Sequence, residues 1–189
     1  MIGGNFPNIS FQTFYASKEE TNSPLLIEII KIGKKLKESN ILTKDSSAVI
    51  SIGYGRRILI NGEVGDFSKI KKEEIIEIVD YNPIKNNLLI IGPAEPNYKT
   101  PVHWMIHYSR NEINAVVEIQ NSIFAEKLNK KIPAIGDKYP IGSIDFIKEV
   151  LRNLKDSKKI IIKNESVLFV GNSMQKVQDL IIETFEDLK

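Results

Sequence analysis

Glu118 and Gln120 stand two residues apart in NAVVEIQNSIF, where their neighbours Val116, Val117 and Ile119 are all apolar. Along an extended strand, alternate side chains share a face, so this carboxylate and this amide point the same way. A carboxylate at the end of a buried strand is costly unless something pairs with it. These two residues are therefore the first candidates for chemistry. His103 and His107 lie one helical turn apart, a spacing able to hold a metal ion. No third ligand stands near them, and they read as partly buried packing residues. The octamer GGNFPNIS at 3–10 imitates a glycine-rich phosphate loop, but a lone glycine-rich stretch has little specificity.

The elements that must position these groups follow from periodicity. Leu26, Ile29, Ile30, Gly33 and Leu36 repeat at helical spacing and predict a helix over 24–38, with Ser23-Pro24 at its start. AVISIGYGRRILING reads as two strands, 48–52 and 57–60, joined through Gly53-Tyr54-Gly55. Further strands are expected at 74–79, 88–91, 113–119, 160–163 and 167–170. Helices are expected at 100–111, 121–128, 144–155 and 173–188, and 66–70 reads as connecting loop. Residues 1–22, polar with scattered aromatics, read as an irregular N-terminal arm before a single domain over 23–189. Mixed short strands and about five helices argue a layered α/β or α+β domain.

Composition narrows the function. Of 189 residues, 42% are hydrophobic and 26% charged, with a net charge of +2, as for an ordinary soluble domain. Basic residues are interleaved with acidic ones, as in KIGKKLKESN and IKKEE, which disfavours nucleic acid as a partner. No apolar run reaches the roughly 18 residues that span a bilayer, and MIGGNFPNIS has no signal-peptide pattern. Without cysteine there is no disulfide framework or thiolate chemistry, which fits a cytoplasmic protein.

HWMIHYSRNEINAVVEIQNSIFAEKL carries a more specific likeness. It resembles the class II aldolase/adducin family, where a helix bearing a Glu and a His leads through an arginine and Asn-Ala-Val-Val into a His-x-His pair. His103, Arg110, Asn114, Ala115, Val116 and Val117 match. A second anchor, IIIKNESVLFVGNS, matches at Asn164, Val167, Val170 and Gly171. The resemblance covers about residues 24 to 185. It implies a three-layer α/β/α fold, with a central mixed, largely antiparallel sheet flanked by helices. It also implies a homo-oligomer, typically a cyclic tetramer.

The family's functional positions do not carry over. Its three zinc-binding histidines fall on Glu118, Gln120 and Glu165, and its acid/base glutamate falls on Lys99. Its Gly-Asn phosphate loop falls on Ser47-Ala48, and the turn that completes the phosphate pocket on Glu63-Val64. The resemblance also leads to the expectation that the C-terminal tail in which many members carry a catalytic tyrosine is absent. Tyr98, beside Lys99, is the best candidate for ligand contact among Tyr98, Trp104, Tyr108 and Phe124. Three readings stand. Lys99 could pair with Glu118 and Glu165 where a metal once sat, leaving a homologue with no cofactor and without aldolase activity. Two carboxylates and an amide could instead hold Mg²⁺ or Mn²⁺ for a diverged lyase or epimerase working through an enediolate. The scaffold could also serve binding or assembly alone.

Overall fold

The apolar runs become strands of one sheet. In this computed structural model, which describes residues 10–128, 131–136 and 138–188, the strands are β1 (Gln12–Ser17), β2 (Ser47–Tyr54), β3 (Arg57–Asn61), β4 (Ile75–Asn82), β5 (Asn87–Ile91), β6 (Ala115–Gln120), β7 (Ala134–Ile135), β8 (Lys159–Ile162) and β9 (Ser166–Gly171). They lie in the order β1-β5-β4-β3-β2-β6-β9-β8-β7. The outer pairs β1/β5 and β7/β8 are parallel, and the other neighbours antiparallel.

Among the described residues five α-helices cover the sheet: α1 (Leu26–Glu38), α2 (Thr100–Ser109), α3 (Ser122–Leu128), α4 (Ile144–Asn153) and α5 (Met174–Glu186); short 3-10 turns lie at Phe67–Lys69 and Lys72–Glu74. Buried residues of α1, α3 and α5 share one apolar cluster with Ile50, Val117, Ile119 and Phe169. On the opposite face α2 and α4 pack through Val102, Ile106, Phe146 and Val150 against Val116 and Leu168. The result is the three-layer α/β/α arrangement. Ser143 and Ser173 cap α4 and α5, accepting from the backbone of Phe146 (3.1 Å) and Lys176 (3.3 Å). Among the described residues no helix is long and apolar enough to cross a membrane.

Two expectations need correction. Residues 12–17, assigned to an irregular arm, form β1 and pair with β5 from Gln12↔Asn87 to Ser17↔Ile91. QTFYAS alternates between exposed and half-buried positions at the sheet edge, so little apolar content marks it. Its backbone partners come from residues about 75 positions away. Helix α1 begins at Leu26 rather than 24, since Leu25 takes the capping position while the Ser23 hydroxyl accepts from the Leu25 amide at 3.4 Å.

Register decides where the polar residues go. Ser47, Val49 and Ser51 lie opposite Gln120, Glu118 and Val116, while Gln120 and Glu118 also face Ser166 and Leu168 of β9. Cross-strand partners share a face. Ser47, Ser51, Glu118, Gln120 and Ser166 therefore form a polar row beneath α2, although the reverse face of the same strands is wholly apolar.

Candidate functional site

The start of α2 aims a lysine into this row. Asn97 Oδ1 accepts from the Lys99 amide at 2.9 Å, and the Lys99 carbonyl accepts from the Val102 and His103 amides, opening the first turn. Pro101 sits in that turn, where no donor is needed. Lys99 Nζ lies 2.7 Å from Glu118 Oε1 and 2.8 Å from Glu165 Oε1; Lys99 and Glu118 are fully buried and Glu165 is 22% exposed. Glu165 follows Asn164, whose φ of 60° makes the tight turn between β8 and β9.

Hydrogen bonds extend the cluster in both directions. Toward one side, Ser166 donates to Glu118, Tyr98 donates to Glu165 at 2.5 Å, and Gln120 Nε2 donates to the Tyr98 oxygen at 3.1 Å. Ser47 donates to Gln120 Oε1 at the end of this arm. Burial, then the hydrogen bond and charge of Glu165, push the Tyr98 phenol well above its ordinary range, so it stays a donor.

Toward the other side, the partners assign the protons. His107 Nδ1 faces the Ile113 carbonyl at 3.2 Å, which only accepts, so this nitrogen carries hydrogen. Burial, with His103 next, pushes His107 down to about 3. Its Nε2 is therefore bare and accepts from the Ser51 hydroxyl at 2.9 Å. Ser51 in turn accepts from His103 Nδ1 at 2.8 Å. His103 Nε2 then faces Glu118 Oε2 at 3.6 Å. Burial alone would raise the Glu118 carboxyl, but the Lys99 charge, followed by His103, overcomes it and holds Glu118 at about 2.

Beyond Tyr98 and Gln120 opens a cavity of about 650 Å³, lined also by Ser47, Glu63 and Glu95. Among the described residues its lining carries two carboxylates and no cationic side chain. Tyr15 of β1 fixes Glu95 with a 2.5 Å hydrogen bond, and burial together with Glu95 pushes that phenol up to about 12.

The sequence profile described as Class II Aldolase and Adducin N-terminal domain matches residues 27–187. The chain belongs to that family. An L-fuculose phosphate aldolase of Methanocaldococcus jannaschii is 26% identical, the match covering 78% of this chain and 84% of that protein. Among solved structures, an L-fuculose 1-phosphate aldolase superposes with a TM-score of 0.70 at 18% identity, covering 89% of this chain and 84% of its own. L-fuculose-1-phosphate aldolase from Thermus thermophilus gives 0.65 at 13% identity, over 87% and 90%. These structural likenesses agree with the class II aldolase fold.

The residues that the resemblance assigns to the family's ligand positions are arranged around Lys99 in a way that does not suit a metal ion. Glu118 Oε1 and Glu165 Oε1 both turn to Lys99 Nζ, and the Gln120 oxygen turns to Ser47. An ammonium at the focus of two carboxylates repels a second cation. Among the described residues no group of three His, Cys, Asp or Glu side chains is arranged to hold a metal.

The structure joins Lys99, Tyr98, Ser47, Glu118, Gln120 and Glu165 in one chain of contacts, while Glu63 stands exposed on the cavity wall. Other expectations change. His103 and His107 do more than pack, since both bond Ser51. Trp104 and Tyr108 line a different cavity at the far end of β2, and Phe124 packs against Phe185 (5.7 Å) in the apolar core on the opposite face. Most of GGNFPNIS lies outside the described residues. Ser51 and Ser166 escaped notice; the available signal was a hydroxyl at the inward position of each strand.

Proposed function

We propose that this chain is a class II aldolase-like domain that works without a metal and without aldolase activity, serving ligand binding, regulation or assembly as a homo-oligomer. The observation that carries the reading is Lys99 Nζ seated between Glu118 and Glu165 at 2.7 and 2.8 Å with no exposure of its own. Cleavage or epimerisation through an enediolate needs an acid/base open to the substrate and an electrophile beside the developing oxyanion. Lys99 has no open face for either a substrate proton or a carbonyl carbon. The family's phosphate-pocket position is occupied by Glu63, with Glu95 nearby, and these carboxylates repel a sugar phosphate.

The test is elemental analysis of purified protein with and without added Zn²⁺, Mn²⁺ and Mg²⁺, beside a thermal melt. The expected result is no stoichiometric metal and no change in Tm. One alternative is a diverged Mg²⁺- or Mn²⁺-dependent carbon–carbon lyase or epimerase, favoured by the likeness to the archaeal L-fuculose phosphate aldolase. Stoichiometric metal that raises Tm, with aldol cleavage of a sugar substrate, would establish that alternative instead.

A further inference from the structure

The far end of β2 carries a second cavity, of about 670 Å³, between the β2–β3 hairpin and the C-terminal half of α2. It opens where Gly53 ends the buried part of the strand, whereas the carboxylate-lined cavity opens at Ser47. The two linings differ in charge. Here the turn Gly55-Arg56 brings an exposed guanidinium that has no ion-pair partner among the described residues. Arg57 also contributes, although Glu77 engages it at 2.7 Å. Asp80 is the one carboxylate of the lining among the described residues.

Trp104 and Tyr108 form one wall. Their rings lie 6.5 Å apart and within 15° of parallel. Trp104 is 95% buried, being only 5% exposed, yet its indole N–H has no partner among the described residues and is not sealed from solvent. A buried indole normally finds an acceptor, and Trp104 lines the cavity. Tyr108 is 73% exposed and leaves a ring face free. His107, fixed at both ring nitrogens by Ser51 and Ile113, holds the floor rigid, and a preorganised site loses little entropy when a ligand enters.

We propose that this cavity binds a small anion carried on a planar ring. The ring lies on Tyr108, and the anionic group meets Arg56 and the Trp104 N–H. Asp80 limits the ligand to low charge, such as a monophosphate or a carboxylate, and excludes polyphosphates.

Trp104 is the sole tryptophan, so its emission reports on this cavity alone. The experiment titrates the full chain with AMP, benzoate, adenosine and inorganic phosphate while following that emission. AMP or benzoate should change it saturably, which of the two does so distinguishing phosphate from carboxylate as the anion. Adenosine and inorganic phosphate should each bind at least about tenfold more weakly, since each lacks one recognised group. Arg56→Ala and Tyr108→Ala, both at exposed side chains and compatible with folding, should each weaken binding about tenfold. Unchanged emission with all four compounds overturns the proposal. So does adenosine or phosphate binding as tightly as AMP, or binding that neither variant weakens.

Discussion

Lys99 Nζ lies 2.7 Å from Glu118 Oε1, and neither side chain reaches solvent. In the interior such a pair is stable only while both members remain, because each leaves an uncompensated charge when the other is removed. Glu165 also engages Lys99, and His103 Nε2 faces Glu118. The polar row beneath α2 is thus held together by mutual neutralisation, on a sheet whose other face is apolar.

Lys99→Met should therefore destabilise the protein by about 3–5 kcal/mol, read from urea denaturation. Adding Glu118→Leu should recover part of that loss, since the stranded carboxylate goes with it. An unchanged midpoint in the single variant would show that Lys99 does not neutralise the cluster.

Acid should weaken the fold through two groups acting in the same direction. His107 is held at about 3 against an ordinary 6.5. As pH falls below 6.5, the unfolded chain takes up a proton that the folded chain refuses, so stability declines toward pH 3. Glu118 is held at about 2 against an ordinary 4.5. Its contribution is complete above 4.5 and is lost as pH falls toward 2. The denaturation midpoint should decline steadily from pH 7 to pH 3. A His107→Gln variant, lacking the first of these protons, should show a flatter profile between 6.5 and 4.5.

Ser51→Ala removes the oxygen shared by His103 Nδ1 and His107 Nε2. Each ring then loses a partner inside the protein, at about 1–3 kcal/mol for a buried polar group left unsatisfied. Chemical denaturation of the variant measures this. A loss below about 0.5 kcal/mol, the level of ordinary surface changes, would mean that the two histidines do not depend on Ser51.

A fourfold reversal probes the family correspondence directly. Lys99→Glu with Glu118→His, Gln120→His and Glu165→His converts the cluster to the residue types that the class II aldolase resemblance implies. The expected outcome is one zinc per chain by elemental analysis. A folded variant that takes up no zinc would show that these positions do not converge as the resemblance requires.

Much of the sheet was legible because its central strands are buried on both faces. VISIG, RILI, NAVVEIQ and SVLFV are apolar enough to stand out from their neighbours. The same contrast exposed Glu118 and Gln120, polar residues at inward positions. β1 was not legible, because an edge strand with one exposed face carries little apolar signal and its pairing depends on distant β5. The histidines were visible as an i, i+4 pair, but their shared partner Ser51 lies 52 and 56 residues away. The aromatic candidates were divided by geometry alone, Tyr98 to one cavity, Trp104 and Tyr108 to another, and Phe124 to the core.

The sequence by itself determined the layered α/β class and the family likeness, and through that likeness it raised the expectation that the family's functional histidines, glutamate and glycine are replaced here. Alternation and helical spacing are local properties, readable wherever one face is buried. Only the tertiary structure decided that Lys99 Nζ lies between two carboxylates, that Ser51 links two histidines, and that cavities of opposite charge open at the two ends of β2. Those relationships depend on strand register and on where α2 crosses the sheet. A shift of one residue in register would turn Glu118 into the apolar core, and no local stretch of sequence specifies that register alone.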